Sequence, residues 1–134
     1  MTHRDYQRDH AAAFEPILVR HRDWLEGNPG HTVFECEIGW AGLLGDLFDA
    51  VAGHVRDDNG TVRIGQIKEK YGTLRVYWTA FVASDVDDRI EKLIDVAEMR
   101  SAIECEICGN PARLRGNRWV QTLCDLHAKA KGMS

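Results

Sequence analysis

Cys105 and Cys108 are separated by two residues, and after a gap of fifteen residues Cys124 and His127 repeat that separation. Three thiols and one imidazole at this spacing are the donor set of a closed tetrahedral zinc site, because Zn2+ takes thiolate sulfur and imidazole nitrogen. A redox C-x2-C would sit early in a βαβ pattern; here the pair follows a helical stretch and leads into a second ligand pair. Four protein donors leave no open position for a catalytic water, so the expectation is one structural Zn2+ per chain. Model zinc fingers gain about 10–16 kcal/mol from their metal. That matches the whole stability of a small domain, about 5–15 kcal/mol.

The residues between the ligands fit a compact module. Gly109 follows Cys108 where a knuckle turn needs positive φ, and Pro111 ends the turn. Two short β-prone stretches, 112–115 and 118–123, flank Gly116-Asn117, a two-residue turn signal. From Cys124 onward the residues favour helix, which puts Cys124 and His127 on one face of its first turn. This order of knuckle, hairpin and ligand-bearing helix resembles a treble-clef zinc finger, over about a quarter of the chain.

The remaining sequence predicts an α+β fold, with helices packed on a small antiparallel sheet. The expected division is an α+β body over 1–103 and the zinc module over 104–134, packed against it. Helices are expected over 6–26, 39–56 and 85–103. Pro16 draws the start of the first toward Phe14, and Ser84 is the expected N-cap of the third. Val86, Ile90, Leu93, Ile94, Ala97 and Ile103 form its buried face. Residues 32–38 read as a short strand with Phe34, Cys36 and Ile38 on one face. A hairpin is expected over 61–68 and 73–82, with a bulge at Gly65 and a turn at Tyr71-Gly72. His21 reads as a hydrogen-bonded core histidine and Cys36 as a buried thiol.

A net charge of −4 argues against non-specific coating of nucleic acid. The charge is uneven: residues 61–82 hold four basic groups against one acidic, and 100–134 hold six against three. The first of these segments joins Lys68, Lys70 and Arg75 to Tyr71 and Tyr77, a combination that suits a phosphate-bearing ligand or a stacking base. Arg113, Arg115 and Arg118 would extend that surface across the zinc module. The alternative is a solvated sheet edge guarded by lysines. Reduced thiols point to the cytoplasm. The N-terminal residues lack an apolar leader, and no stretch approaches the ~20 apolar residues of a membrane span.

Gly39-Trp40, the run from Gln66 to Gly72 with Leu74-Arg75, Ala97-Glu98 with Ser101, and the four ligands together resemble uncharacterised small proteins of bacteria and their phages. Tyr71 and Thr73 stand where phenylalanine and glycine look usual. The resemblance implies no settled activity; its phage members imply a role in host takeover or counter-defence. Catalytic patterns are missing: there is no H-E-x-x-H, no P-loop, no G-x-S-x-G elbow and no deaminase H-x-E. The leading expectation is a non-enzymatic binding protein for an acidic protein surface or a phosphorylated small ligand. The alternatives are nucleic-acid binding through the zinc module, an enzyme using Glu69 or Glu98, and a purely structural subunit. The oligomeric state is not legible.

Overall fold

The computed structural model describes residues 2–134. Helix α1 spans His3–Arg20, strand β1 Phe34–Glu35, helix α2 Ala41–Asp57, strands β2 and β3 Thr61–Lys70 and Thr73–Phe81, and helix α3 Ser84–Ser101. The C-terminal part adds strands β4 (Arg113–Arg115) and β5 (Gln121–Leu123) and helix α4 (Asp125–Ala130). The α+β reading holds. The main sheet is mixed rather than antiparallel: its order is β1-β2-β3, and β1 runs parallel to β2.

Helix α1 begins earlier than Pro16 suggested. Thr2 and Asp5 form a reciprocal capping box, which satisfies the first free N–H groups and nucleates the helix at His3. Pro16 sits inside the helix without ending it. The helix stops at Arg20, six residues before the expected end, because Trp24 and Glu26 turn to bond the backbone of Val62 in β2. The strand expected over 32–38 shrinks to two residues. Phe34 and Cys36 are buried as expected, whereas Ile38 is exposed. The chain there turns away so that Gly39 N–H reaches the Glu106 carbonyl at 2.7 Å.

The hairpin follows the sequence closely. Its register shifts at Gly65, where a Cβ would stand 2.9 Å from the Tyr77 carbonyl oxygen. Tyr71 and Gly72 both take positive φ, +54° and +85°, as a two-residue hairpin turn of matching twist requires. The inner sheet face and α1, α2 and α3 enclose one core, with Phe14, Phe34, Trp40, Phe48, Ile67 and Ile90 fully buried. The outer sheet face is left uncovered. In α3 the cap is Ala83 rather than Ser84, since the Asp87 N–H bonds the Ala83 carbonyl. Ile103 lies past the helix end and points to solvent instead of into the core.

Helix α3 also closes the open edge of β3. Ser101 Oγ accepts the Leu74 N–H at 2.8 Å, and the Glu98 carboxylate accepts the Val76 N–H at 3.2 Å. Two main-chain donors at the sheet edge are thereby satisfied, which blunts strand-on-strand association. No helix among the described residues is long and apolar enough to cross a membrane.

Candidate metal centre and the adjoining cleft

The knuckle forms because Gly109 takes φ +81° and bonds the Cys105 carbonyl through its N–H at 2.7 Å. Cys105 N–H bonds Asn110 O at 2.7 Å, closing the loop around the first two thiols. The second pair comes from the start of α4, with Cys124 as its N-cap and His127 one turn on. The β4–β5 ladder pairs Arg113 with Leu123 and Arg115 with Gln121. The loop between these strands is longer than the two-residue turn expected, running from Gly116 to Val120.

The three sulfurs and the imidazole converge as the spacing demands, with ligand atoms all within 4.8 Å of one another. Cys108 Sγ lies 3.8 Å from Cys124 Sγ, and His127 Nδ1 lies 3.8 Å from Cys105 Sγ and 3.2 Å from Cys124 Sγ. This group can hold a metal ion. Burial opposes ionisation of the Cys105 thiol, but N–H groups from Cys124, Cys108 and Ile107 outweigh it and bring the thiol down to about 7. Donors aimed at the sulfur thus favour the thiolate that a metal needs.

The body grips this knuckle and its flanks through several bonds. Gly39 N–H and Glu37 N–H bond the carbonyl and carboxylate of Glu106, Trp40 Nε1 bonds Glu104 O at 2.9 Å, and Thr122 Oγ1 donates to Gly72 O at 2.6 Å. Glu69 holds the adjacent turn by accepting the Gly72 N–H at 2.7 Å. The scattered residues Gly39-Trp40, Glu69, Gly72, Leu74, Glu98 and Ser101 therefore share one structural theme. They build the hairpin edge and dock the knuckle to it.

The basic candidates divide. Alternation and register place Lys68, Lys70, Arg75 and Tyr77 together on the uncovered sheet face, with Tyr71 exposed at the turn. Lys68 Nζ lies 5.9 Å from the Tyr77 ring centroid and Lys70 Nζ 5.7 Å from that of Tyr71. Arg113 and Arg118 are exposed on the module. Arg115 is not available as a ligand-binding residue: it is buried, its Nε bonds Leu123 O, and it pairs with Asp125 at 2.7 Å. His21 is the satisfied core histidine expected. It accepts from Trp24 Nε1 at 3.1 Å and meets Asp49 at 2.7 Å.

A cleft of about 360 Å3 opens where β1, the hairpin end and the module meet. Glu35, Glu37, Glu69 and Glu106 line it together with Tyr6 and Trp119, and the Tyr6 hydroxyl donates to Glu37 Oε1 at 3.0 Å. Lys131 is the basic group in its lining, and its Nζ bonds Gln121 Oε1 at 2.7 Å. Gln121 Nε2 in turn bonds Glu106 Oε1 at 3.0 Å. Burial raises the Glu106 carboxyl above its usual range; the Gln121 and Glu37 N–H groups oppose that, and the charges of Glu69 and Glu37 add to it. Burial likewise pushes the Cys36 thiol well up, reinforced by the charges of Glu106, Glu37 and Glu69, so Cys36 stays protonated. The four carboxylates come from segments up to 71 residues apart, so no local pattern signalled the cleft. Compared with family models, curated proteins and solved structures, the chain has no match in any of the three.

Proposed function

We propose that the chain is a zinc-stabilised binding protein, without catalytic activity, whose uncovered sheet face contacts an acidic protein surface or a phosphorylated small ligand. Four donors, all from protein, support a structural Zn2+. Tetrahedral Zn–S bonds of about 2.3 Å put two sulfurs about 3.8 Å apart, the separation found between Cys108 and Cys124. Knuckle, hairpin and ligand-bearing α4 follow the treble-clef order. The residues shared with small bacterial and phage proteins make host takeover or counter-defence a fitting context.

One observation carries the binding reading. Lys68 and Arg75 stand directly opposite each other on β2 and β3. Like charges in that position destabilise a sheet. Among the described residues neither they nor Lys70 has an acidic side chain within salt-bridge distance. On β1 the neighbour of Lys68 is Glu35, whose carboxylate is taken by Gln66 Nε2 at 2.9 Å, and Arg75 is held by Thr73 Oγ1 at 2.7 Å. Cations placed side by side without a salt-bridge partner, beside two tyrosines, fit a face kept ready for an anion. Glu69 and Glu98 cap main-chain N–H groups, which weighs against an enzyme built on them. The nucleic-acid reading draws on exposed Arg113, Arg118 and Trp119.

Fluorescence anisotropy with a labelled polyglutamate peptide, competed with inorganic triphosphate, tests the reading. Saturable binding lost in Lys68→Ala/Lys70→Ala, with an unchanged melt, is expected. Equal binding by that variant would remove the proposal. Binding confined to an oligonucleotide, with a steep loss in salt, would transfer the function to nucleic acid.

A further inference from the structure

The cleft at the seam is a second binding feature, opposite in sign to the sheet face. Four carboxylates surround it, and the lysine in its lining is already held by Gln121. Glu106 is only 4% exposed, yet among the described residues no basic group lies within salt-bridge distance of it. Buried carboxylates are rarely left without a cation. Its two oxygens take one N–H each, from Glu37 and Gln121, whereas a carboxylate has about four acceptor positions. Trp119, at the edge of the same cleft, is 79% exposed. No packing need explains a large indole in that position.

We propose that this cleft binds a guanidinium group, carried by an arginine side chain of a peptide or by a small guanidino compound. A guanidinium is planar, permanently charged and weakly hydrated, so it leaves water for a partly buried site more readily than an ammonium does. Its fork of five N–H donors suits carboxylates supplied by different segments, here Glu106 with Glu37 and Glu69 in the same lining. Glu37 also accepts the Tyr6 hydroxyl and Glu69 the Gly72 N–H, each through one oxygen. Its face stacks on an indole, and Trp119 offers one. A volume of about 360 Å3 lies at the low end of small-ligand sites, about 300–1,000 Å3. That suits one amino-acid-sized group. The proposal is independent of the anion-binding reading, because it uses none of Lys68, Lys70 or Arg75.

Titration of the full metal-loaded chain with agmatine and with N-acetyl-arginine amide tests it, read by the indole N–H signals in a 1H–15N spectrum. The Trp119 signal is expected to shift saturably while those of buried Trp24 and Trp40 stay in place. Response to both compounds points to a peptide arginine; response to agmatine alone points to a free guanidino compound. Either supports the site. Glu106→Gln keeps the side chain's size and is expected to weaken binding about tenfold or more, the loss of one charge-assisted contact. Glu37→Gln, at a half-exposed position, gives the same test should the first variant fold poorly; an unmoved Trp40 signal certifies the fold. Three results would overturn the proposal. They are no saturable shift up to about 10 mM, beyond any specific affinity, a shift that survives both variants, and equal binding of N-acetyl-lysine amide.

Discussion

Replacing Gly39 with alanine tests whether the body and the knuckle are one packed unit. A Cβ at this position would overlap the carbonyl oxygens of Cys105 and Glu106 and lie 2.5 Å from the Glu106 carbonyl carbon. All of these are main-chain atoms, so no side chain can swing away to relieve the overlap. The knuckle must retreat, and the Gly39 N–H bond to Glu106 O at 2.7 Å is strained or broken. A lost hydrogen bond costs about 0.5–1.5 kcal/mol, and overpacking of this kind about 1–3 kcal/mol. Restricting the unfolded chain returns about 0.4–1 kcal/mol. The net expectation is a loss of about 2–3 kcal/mol, or roughly 7–11 °C in Tm for a domain of this size. Because Cys105 carries the first ligand, metal should also pass faster to a competing chelator. Gly42→Ala is the matched control: it lies in α2 with nothing within 4 Å of its Cβ position. It should stabilise by up to about 1 kcal/mol. Thermal melts by circular dichroism and chelator-competition rates read both variants. A Gly39→Ala protein that melts with Gly42→Ala, and keeps its metal as long, would refute the docking argument.

Ser101→Ala should cost about 1–3 kcal/mol, since it strips the Leu74 N–H of its acceptor at a fully buried position; Ser101→Thr is the variant to compare in urea melts. His21 has a pKa lowered by burial, only partly opposed by its bond to Asp49. The unfolded chain therefore binds more protons than the folded one below the ordinary imidazole value of about 6.5. Stability should accordingly fall as pH drops below that value, and a His21→Gln variant should show a weaker slope in that range. An unchanged slope would mean that His21 is not what the acid limb reports.

The four candidate metal ligands were legible because their geometry is local: each pair spans one turn, and the short β4–β5 hairpin between the pairs brings them together. The Tyr71-Gly72 turn and the Gly65 bulge were legible for the same reason. Helix α1 was misplaced because Pro16 outweighed the Thr2–Asp5 box, although that box is itself a local signal. Arg115 was misread because Asp125, ten residues away, neutralises it once the module folds. The acidic cleft could not be seen at all. Glu35 and Glu37, Glu69 and Glu106 meet only after β1 pairs with β2 and the knuckle docks on Gly39. The same docking explains Gly39-Trp40 and Glu69 in the scattered pattern, whereas Glu98 and Ser101 belong to it because they cap the free edge of β3.

The central claim is that one structural zinc organises the C-terminal module and, through Gly39 and Trp40, the seam. Native mass spectrometry of protein freshly purified from cells, before and after chelation, measures this directly. The account predicts one zinc per chain, and a shift of the chelated protein to higher charge states as the module opens. A chain that carries no metal, or one lighter by two hydrogens through a Cys105–Cys108 disulfide, would contradict it.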